Sequence, residues 1–143
     1  MEFIKIKIAE NVRLIPKDLI EAVKGRLFTP EQFYEYQEKQ ISFQNPYNLL
    51  YALVGEDKKV EGYLWAEISQ IDGSMFVNTF SISKDHWHRG KAMPMLISFL
   101  DKVKSKHNCP RVFWITTNAK FFEKHNFVRS KNVLMEYNKE KTI

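Results

Sequence analysis

Apolar and polar positions change period several times along this chain, and each change predicts an element. Residues 3–8 alternate, with isoleucines set between lysines, as a half-buried strand does. Residues 15–25 follow helical spacing: Pro16 suits a first turn, Ile15, Leu19, Ala22 and Val23 share a face, and Gly25 ends the run. Thr29-Pro30-Glu31-Gln32 opens a second short helix, with a capping threonine, proline at the first position and glutamine at the third. Residues 39–46 keep neither period and read as a loop. From Asn48 onward the pattern is that of strands: 49–54 and 60–69 flank a polar turn at 55–59, and a turn at 71–74 leads into 75–82. The pleat of the middle strand places Tyr63, Trp65 and Glu67 on one face and Gly62, Leu64, Ala66 and Ile68 on the other.

The next run is helical. Met93, Leu96, Ile97, Leu100 and Val103 fall on one stripe, with Asp101, Lys102, Lys104 and Ser105 on the wet side. A short apolar strand at 111–116 follows, so strand, helix and strand make a crossover unit with parallel neighbours. Residues 118–124 give one more short helix, and 127–137 a closing strand or hairpin around Ser130-Lys131-Asn132. No repeat, linker or low-complexity segment interrupts the chain, and its 143 residues are expected to form one domain, 1–143.

Composition narrows the classes. Hydrophobic residues at 44% and charged residues at 27% describe an ordinary globule rather than a disordered or fibrous chain. No apolar run approaches the roughly 20 residues of a membrane span. The alternating N-terminus lacks a signal peptide's apolar core, so the expected location is cytoplasmic and no membrane partner is expected. Cys109 is the single cysteine, which excludes an intrachain disulfide or a cysteine-based zinc site; it reads as a packing residue in preference to a nucleophile. The net charge of +5 suits nucleic acid, an anionic cofactor or acidic partners alike. Scattered lysines and the lack of a binding motif argue against nucleic acid. Phe28, Phe33, Tyr34, Tyr36, Phe43 and Tyr47 crowd one region, as helix-to-sheet packing or as a substrate wall.

The densest chemistry lies between the third strand of the meander and the helix. Thr79 to Ala92 reads as a buried strand end, a polar loop with Gly90 and basic side chains, and a helix start. Unpaired N–H groups and the positive end of the helix dipole make such a junction an anion site, and a glycine lets a phosphate approach the backbone. Two local motifs, together with the order of elements, resemble the GNAT acetyltransferase superfamily. Its Q/R-x-x-G-x-G/A signature falls on Trp87-His88-Arg89-Gly90-Lys91-Ala92, where Gly90 and Ala92 match and Trp87 replaces Gln or Arg. A rival register starting at Arg89 places Ala92 and Pro94 at the small positions. The family's Asn followed by F-Y-E-K-x-G-F resembles Asn118 and Phe121 to Phe127, with Phe122 at the tyrosine and Asn126 at the glycine. The short, lysine-rich chain also resembles small acetyltransferase-like proteins that bacteriophages encode.

The resemblance implies an α/β (α+β), GNAT-like fold: a mixed central sheet of about six to seven strands with helices on both faces. It implies an N-acetyltransferase that carries an acetyl group from acetyl-CoA to an amine of a small molecule or protein, in a chain that can form a homodimer. By position, the backbone from His88 to Met93 would hold the CoA pyrophosphate, with Trp87, Arg89, Gly90, Lys91 and Ala92 in the same loop. Phe80, Ser81 and Ile82 would pair with the pantetheine amides, and Asn118 and Phe122 would border that arm. Pro94 has no N–H to offer at the helix start. Glu67 is the best carboxylate for a general base, directly or through a water, with Asn78 next door unable to act as one; otherwise Glu67 is a solvated or salt-bridged strand residue. Phe122 removes the usual tyrosine acid, for which Tyr137 and His125 are weaker substitutes. His86 and His88 read as cofactor contacts or surface residues; two histidines alone make no metal site. The alternative is a catalytically weak or inactive GNAT-fold protein with a cofactor-binding or structural role, for example in a virion.

Overall fold

The computed structural model describes residues 1–23, 25–86, 92–115, 119–131 and 135–137. Its centre is one sheet in the order β1 (Glu2–Lys5), β2 (Asn48–Val54), β3 (Val60–Ile68), β4 (Met75–Ile82) and β5 (Val112–Trp114). The first four strands are antiparallel neighbours, and β5 lies parallel to β4 across the crossover helix α3 (Ala92–Lys106). Helices α1 (Lys17–Glu21) and α2 (Pro30–Ser42) cover one face, and α3 covers the other, joined by the short α4 (Ala119–Glu123).

The alternation of β3 sorts the core. Tyr63, with Leu50 and Ala52 of β2, packs under Ile20 of α1 and Phe33 and Tyr34 of α2. Leu64 and Ala66, with Leu49, Tyr51, Met75 and Val77, meet Met93, Leu96, Leu100 and Val103 of α3. Burying Leu-sized side chains on both faces is worth roughly 1.5–3 kcal/mol each, which fixes the strand register. The mixed sheet with helices on both faces is the fold class that the sequence predicts.

Several details differ from the sequence reading. Strand β1 stops at Lys5, because residues Ala9–Leu14 form a 3-10 turn that buries Val12. Helix α1 spans only Lys17–Glu21, with Pro16 as its N-cap, so it ends before Gly25. Helix α2 continues through Lys39 to Ser42; Lys39 and Ser42 are exposed there, so the stretch loses its apolar stripe without losing its hydrogen bonds, and Gln44 at φ 54 ends it. Five strands form among the described residues, in place of six to seven. The described parts of 127–137 are not in strand, and Val128 and Tyr137 point to water (89% and 87% exposed), with no face to bury. The capping box of α2 forms as expected, Thr29 Oγ1 accepting from the Gln32 N–H and Gln32 Oε1 from the Thr29 N–H.

Candidate functional site

The site begins with a fault in the sheet. In the β3–β4 ladder Trp65 faces Thr79 and Ala66 faces Val77, so Asn78 is an extra residue, a β-bulge. At the same level β4 and β5 part: their pairing covers Met75, Phe76 and Val77 only. Beyond Val77, the β4 edge has no strand beside it among the described residues. The Ser83 N–H donates to the Glu61 C=O at 2.7 Å, so strand alternation makes Ser81 and Tyr63 the next bonded pair and turns the main-chain groups of Phe80 and Ile82 away from β3.

A cleft of about 450 Å³ opens at this parting. The α1–α2 connection forms one wall with Arg26, Leu27 and Phe28; Trp65, Glu67, Asn78, Thr79 and Phe80 form the floor; Trp114 and Ile115 close the β5 side. The bulge turns Asn78 toward β3, where its Nδ2 donates to Glu67 Oε1 at 2.6 Å. Glu67 Oε2 accepts from the Tyr36 hydroxyl at 3.2 Å. Burial, then the charge of Glu67 and this hydrogen bond, push the Tyr36 phenol above its usual range, so it remains a donor. Trp65 is held by a buried relay in which its Nε1 donates to Asn48 Oδ1 and Asn48 Nδ2 donates to Gln37 Oε1, both at 2.8 Å. The aromatic cluster therefore divides: Phe33 and Tyr34 are core, Phe28 lines the cleft, and Tyr36 orients the carboxylate.

The other expected site residues are distributed around this opening. Ser81 turns inward: its Oγ donates to the Leu19 C=O at 2.7 Å, which ties β4 to α1 rather than leaving the side chain for a ligand. Ala92 begins α3, and Met93 is buried in the core below it, so a ligand can meet only its backbone. Pro94 is the third residue of α3 and removes one N–H from its first turn. Phe122 packs against Trp114 and Phe127, with ring centroids 4.9 and 5.2 Å away. Trp87, His88, Arg89, Gly90, Lys91 and Asn118 lie outside the described residues.

His86, at the last position before that loop, sits 3.5 Å from Glu61, a pairing no sequence pattern signals. His125 lines a separate depression with Asp101 and Lys104 beside α3, and Tyr137 is exposed, so neither lines the cleft with Glu67. Cys109 is buried in the α3-side core, where burial pushes its thiol up and keeps it protonated. Among the described residues no cluster of metal-binding side chains exists, and no helix is long and apolar enough to cross a membrane.

No protein-family model and no curated protein matches the sequence. Solved structures match over nearly the whole chain. A possible acetyltransferase from Clostridium difficile 630 has a TM-score of 0.72 at 11% identity, with 96% of each chain covered. AAC(6')-Iy, solved with the bisubstrate analog CoA-S-monomethyl-acetylneamine, has a TM-score of 0.71 at 13% identity, covering 96% of this chain and 97% of that one. Glucosamine-6-phosphate N-acetyltransferase from Arabidopsis thaliana has 0.63 at 15%, covering 96% and 99%. The chain thus has the GNAT-like acetyltransferase fold.

Proposed function

We propose that this chain is an N-acetyltransferase that moves an acetyl group from acetyl-CoA to the amine of an acceptor. The observation that carries the reading is the meeting, in one cleft, of the β4 edge at Thr79 and Phe80, which has no strand beside it among the described residues, with a hydrogen-bonded carboxylate. An exposed strand edge suits an extended ligand bearing amides, because main-chain groups such as those of Phe80 can pair with it as another strand would. The start of α3 at Ala92 and Met93, with the preceding loop from Trp87 to Lys91, is the proposed pyrophosphate site. Acetyl-CoA supplies the thioester carbonyl that an amine attacks.

The protein's share is to hold the amine neutral and aimed. Glu67 is the proposed base: with one oxygen bonded to Asn78 and the other to Tyr36, its carboxylate has a fixed orientation and lone pairs left for an amine proton, directly or through a water. Phe28, Trp65 and Trp114 give the cleft apolar walls that limit water around that proton transfer. No tyrosine acid stands at position 122, so the departing thiolate leaves without help from that side chain. Thiolate is a good enough leaving group for this to slow the reaction rather than stop it.

Phe122 also favours a second reading, a GNAT-fold protein that binds the cofactor and transfers little or nothing. Calorimetry and thermal shift with acetyl-CoA, followed by thiol release over a panel of amines, separate the two. Cofactor binding with amine-dependent release of CoA supports transfer; binding without release leaves the second reading, and no binding ends both.

A further inference from the structure

One end of the cleft carries a hydrogen-bond donor with nothing to receive it. Arg26, in the connection between α1 and α2, donates through Nη1 to the Phe28 C=O at 2.7 Å. Its Nε is buried without a partner, and no carboxylate of the described residues forms an ion pair with it. Next to it in the cleft lining is Thr79, whose hydroxyl is buried (6% exposed) and has only the Tyr63 phenol within reach; burial raises the phenol's pKa and this contact lowers it. The charge of Arg26 reaches the Tyr63 phenol and opposes the rise that burial causes. Arg26 and Thr79 both line the cleft that contains Glu67.

Buried polar groups are nearly always satisfied, and a guanidinium stays charged at every accessible pH. A guanidinium nitrogen without a partner, on a cleft that Thr79 also lines, indicates a missing partner. The guanidinium can only donate, and the Thr79 hydroxyl can donate, so the complement is a group that accepts several hydrogen bonds and carries negative charge. We propose that the acceptor is a small amine with an anionic oxygen group, a carboxylate or a phosphate, which Arg26 and Thr79 take while Glu67 faces the amine. The inference rests on the acetyltransferase reading for the role of Glu67. The cleft volume of about 450 Å³ suits a metabolite-sized molecule. Arg26 gives the charge, its fork fits a two-oxygen face, and Glu67 repels an acid bound the wrong way round.

The test uses matched amines with and without the anion: β-alanine against its amide, and O-phosphoethanolamine against ethanolamine, titrated by calorimetry with and without CoA. Wild type is expected to bind an anionic member roughly tenfold or more tightly than its neutral mate. The arm with the larger ratio names the group. Arg26→Met should abolish the preference, Arg26→Lys should restore part of it, and Thr79→Val, which keeps the shape, should reduce it in a chain that still folds. Equal binding of both members, as a merely water-filled pocket would give, overturns the inference, as does a preference that survives Arg26→Met. Absence of acetyl transfer with the anion preference intact counts against the acetyltransferase reading alone. Transfer to amines without regard to their anion counts against this inference alone.

Discussion

The Asn78 amide reaches Glu67 Oε1 at 2.6 Å from the bulged position of β4. Without the extra residue, the alternation of β4 would place position 78 directly opposite Trp65, and the β4 edge beyond it would change direction. One insertion in the ladder therefore sets which main-chain groups face the opening, while the Asn78 amide orients the proposed base. Glu67→Gln keeps the size and an oxygen for Asn78 while removing the proton acceptor. It should lower kcat by about 10²- to 10⁴-fold and leave stability within about 0.5 kcal/mol. Steady-state rates beside a urea melt check both numbers, and an unchanged kcat would remove Glu67 from the mechanism.

Gly62 lies opposite Ile82, and a Cβ on it would stand 2.6 Å from the Ser81 carbonyl oxygen. That obstacle is backbone, so it yields only if β4 moves. Gly62→Ala should cost about 1–3 kcal/mol by overpacking. It should also weaken acetyl-CoA binding, because the displaced strand end is the one proposed to pair with the ligand. A variant destabilised by this amount but binding acetyl-CoA as wild type does would separate the strand end from the cofactor site.

Much of the architecture was legible because its signals are local and repeated. The continuous apolar run of β2, the alternation of β4, the capping box at Thr29 and the stripe from Met93 to Val103 each state an element. Glu67 could be chosen as a carboxylate on the same face as Tyr63 and Trp65. Asn78 could be placed next door to it, but the bulge at Asn78 could not, since it shifts register without changing composition, nor could Tyr36, which arrives from a helix 31 residues away. Arg26 was illegible for a different reason. It follows a glycine at φ +77 in a connection with no period, and only its unpartnered Nε and its place in the cleft give it meaning.

Phe122 offers a gain-of-function test. Its ring packs on Trp114 and Phe127 at the border of a second cavity of about 280 Å³. Phe122→Tyr adds one hydroxyl on a half-buried ring. If protonation of the leaving thiolate limits turnover, kcat should rise at least about tenfold, toward the 10²- to 10⁴-fold worth of a positioned acid. The pH–rate profile should gain a falling limb at high pH. Equal rates in the two proteins would show that another step limits turnover.

Arg13 joins the 3-10 turn to α2, donating to both oxygens of Glu31 at 2.8 and 3.0 Å and to both of Glu38 at 3.0 and 3.2 Å, with its guanidinium 5.1 Å from the centre of the Tyr34 ring. The hydrogen bond to Arg13 holds the Glu31 carboxyl below its usual range. A carboxyl whose folded pKa is depressed contributes its stability above the unfolded value, about pH 4.3, and loses it as pH falls through the folded one. Wild type should therefore melt above Arg13→Gln at neutral pH, and the two melting curves should converge as pH drops through 4 and below. These carboxylates are solvent-accessible, so about 1 M salt should narrow the gap at pH 7 as well. Helix α2 also carries Tyr36, the donor to Glu67, which links this surface network to the cleft. Melting curves at pH 3 to 7 decide the electrostatic part: a gap independent of pH and salt would assign the role of Arg13 to its packing on Tyr34 instead.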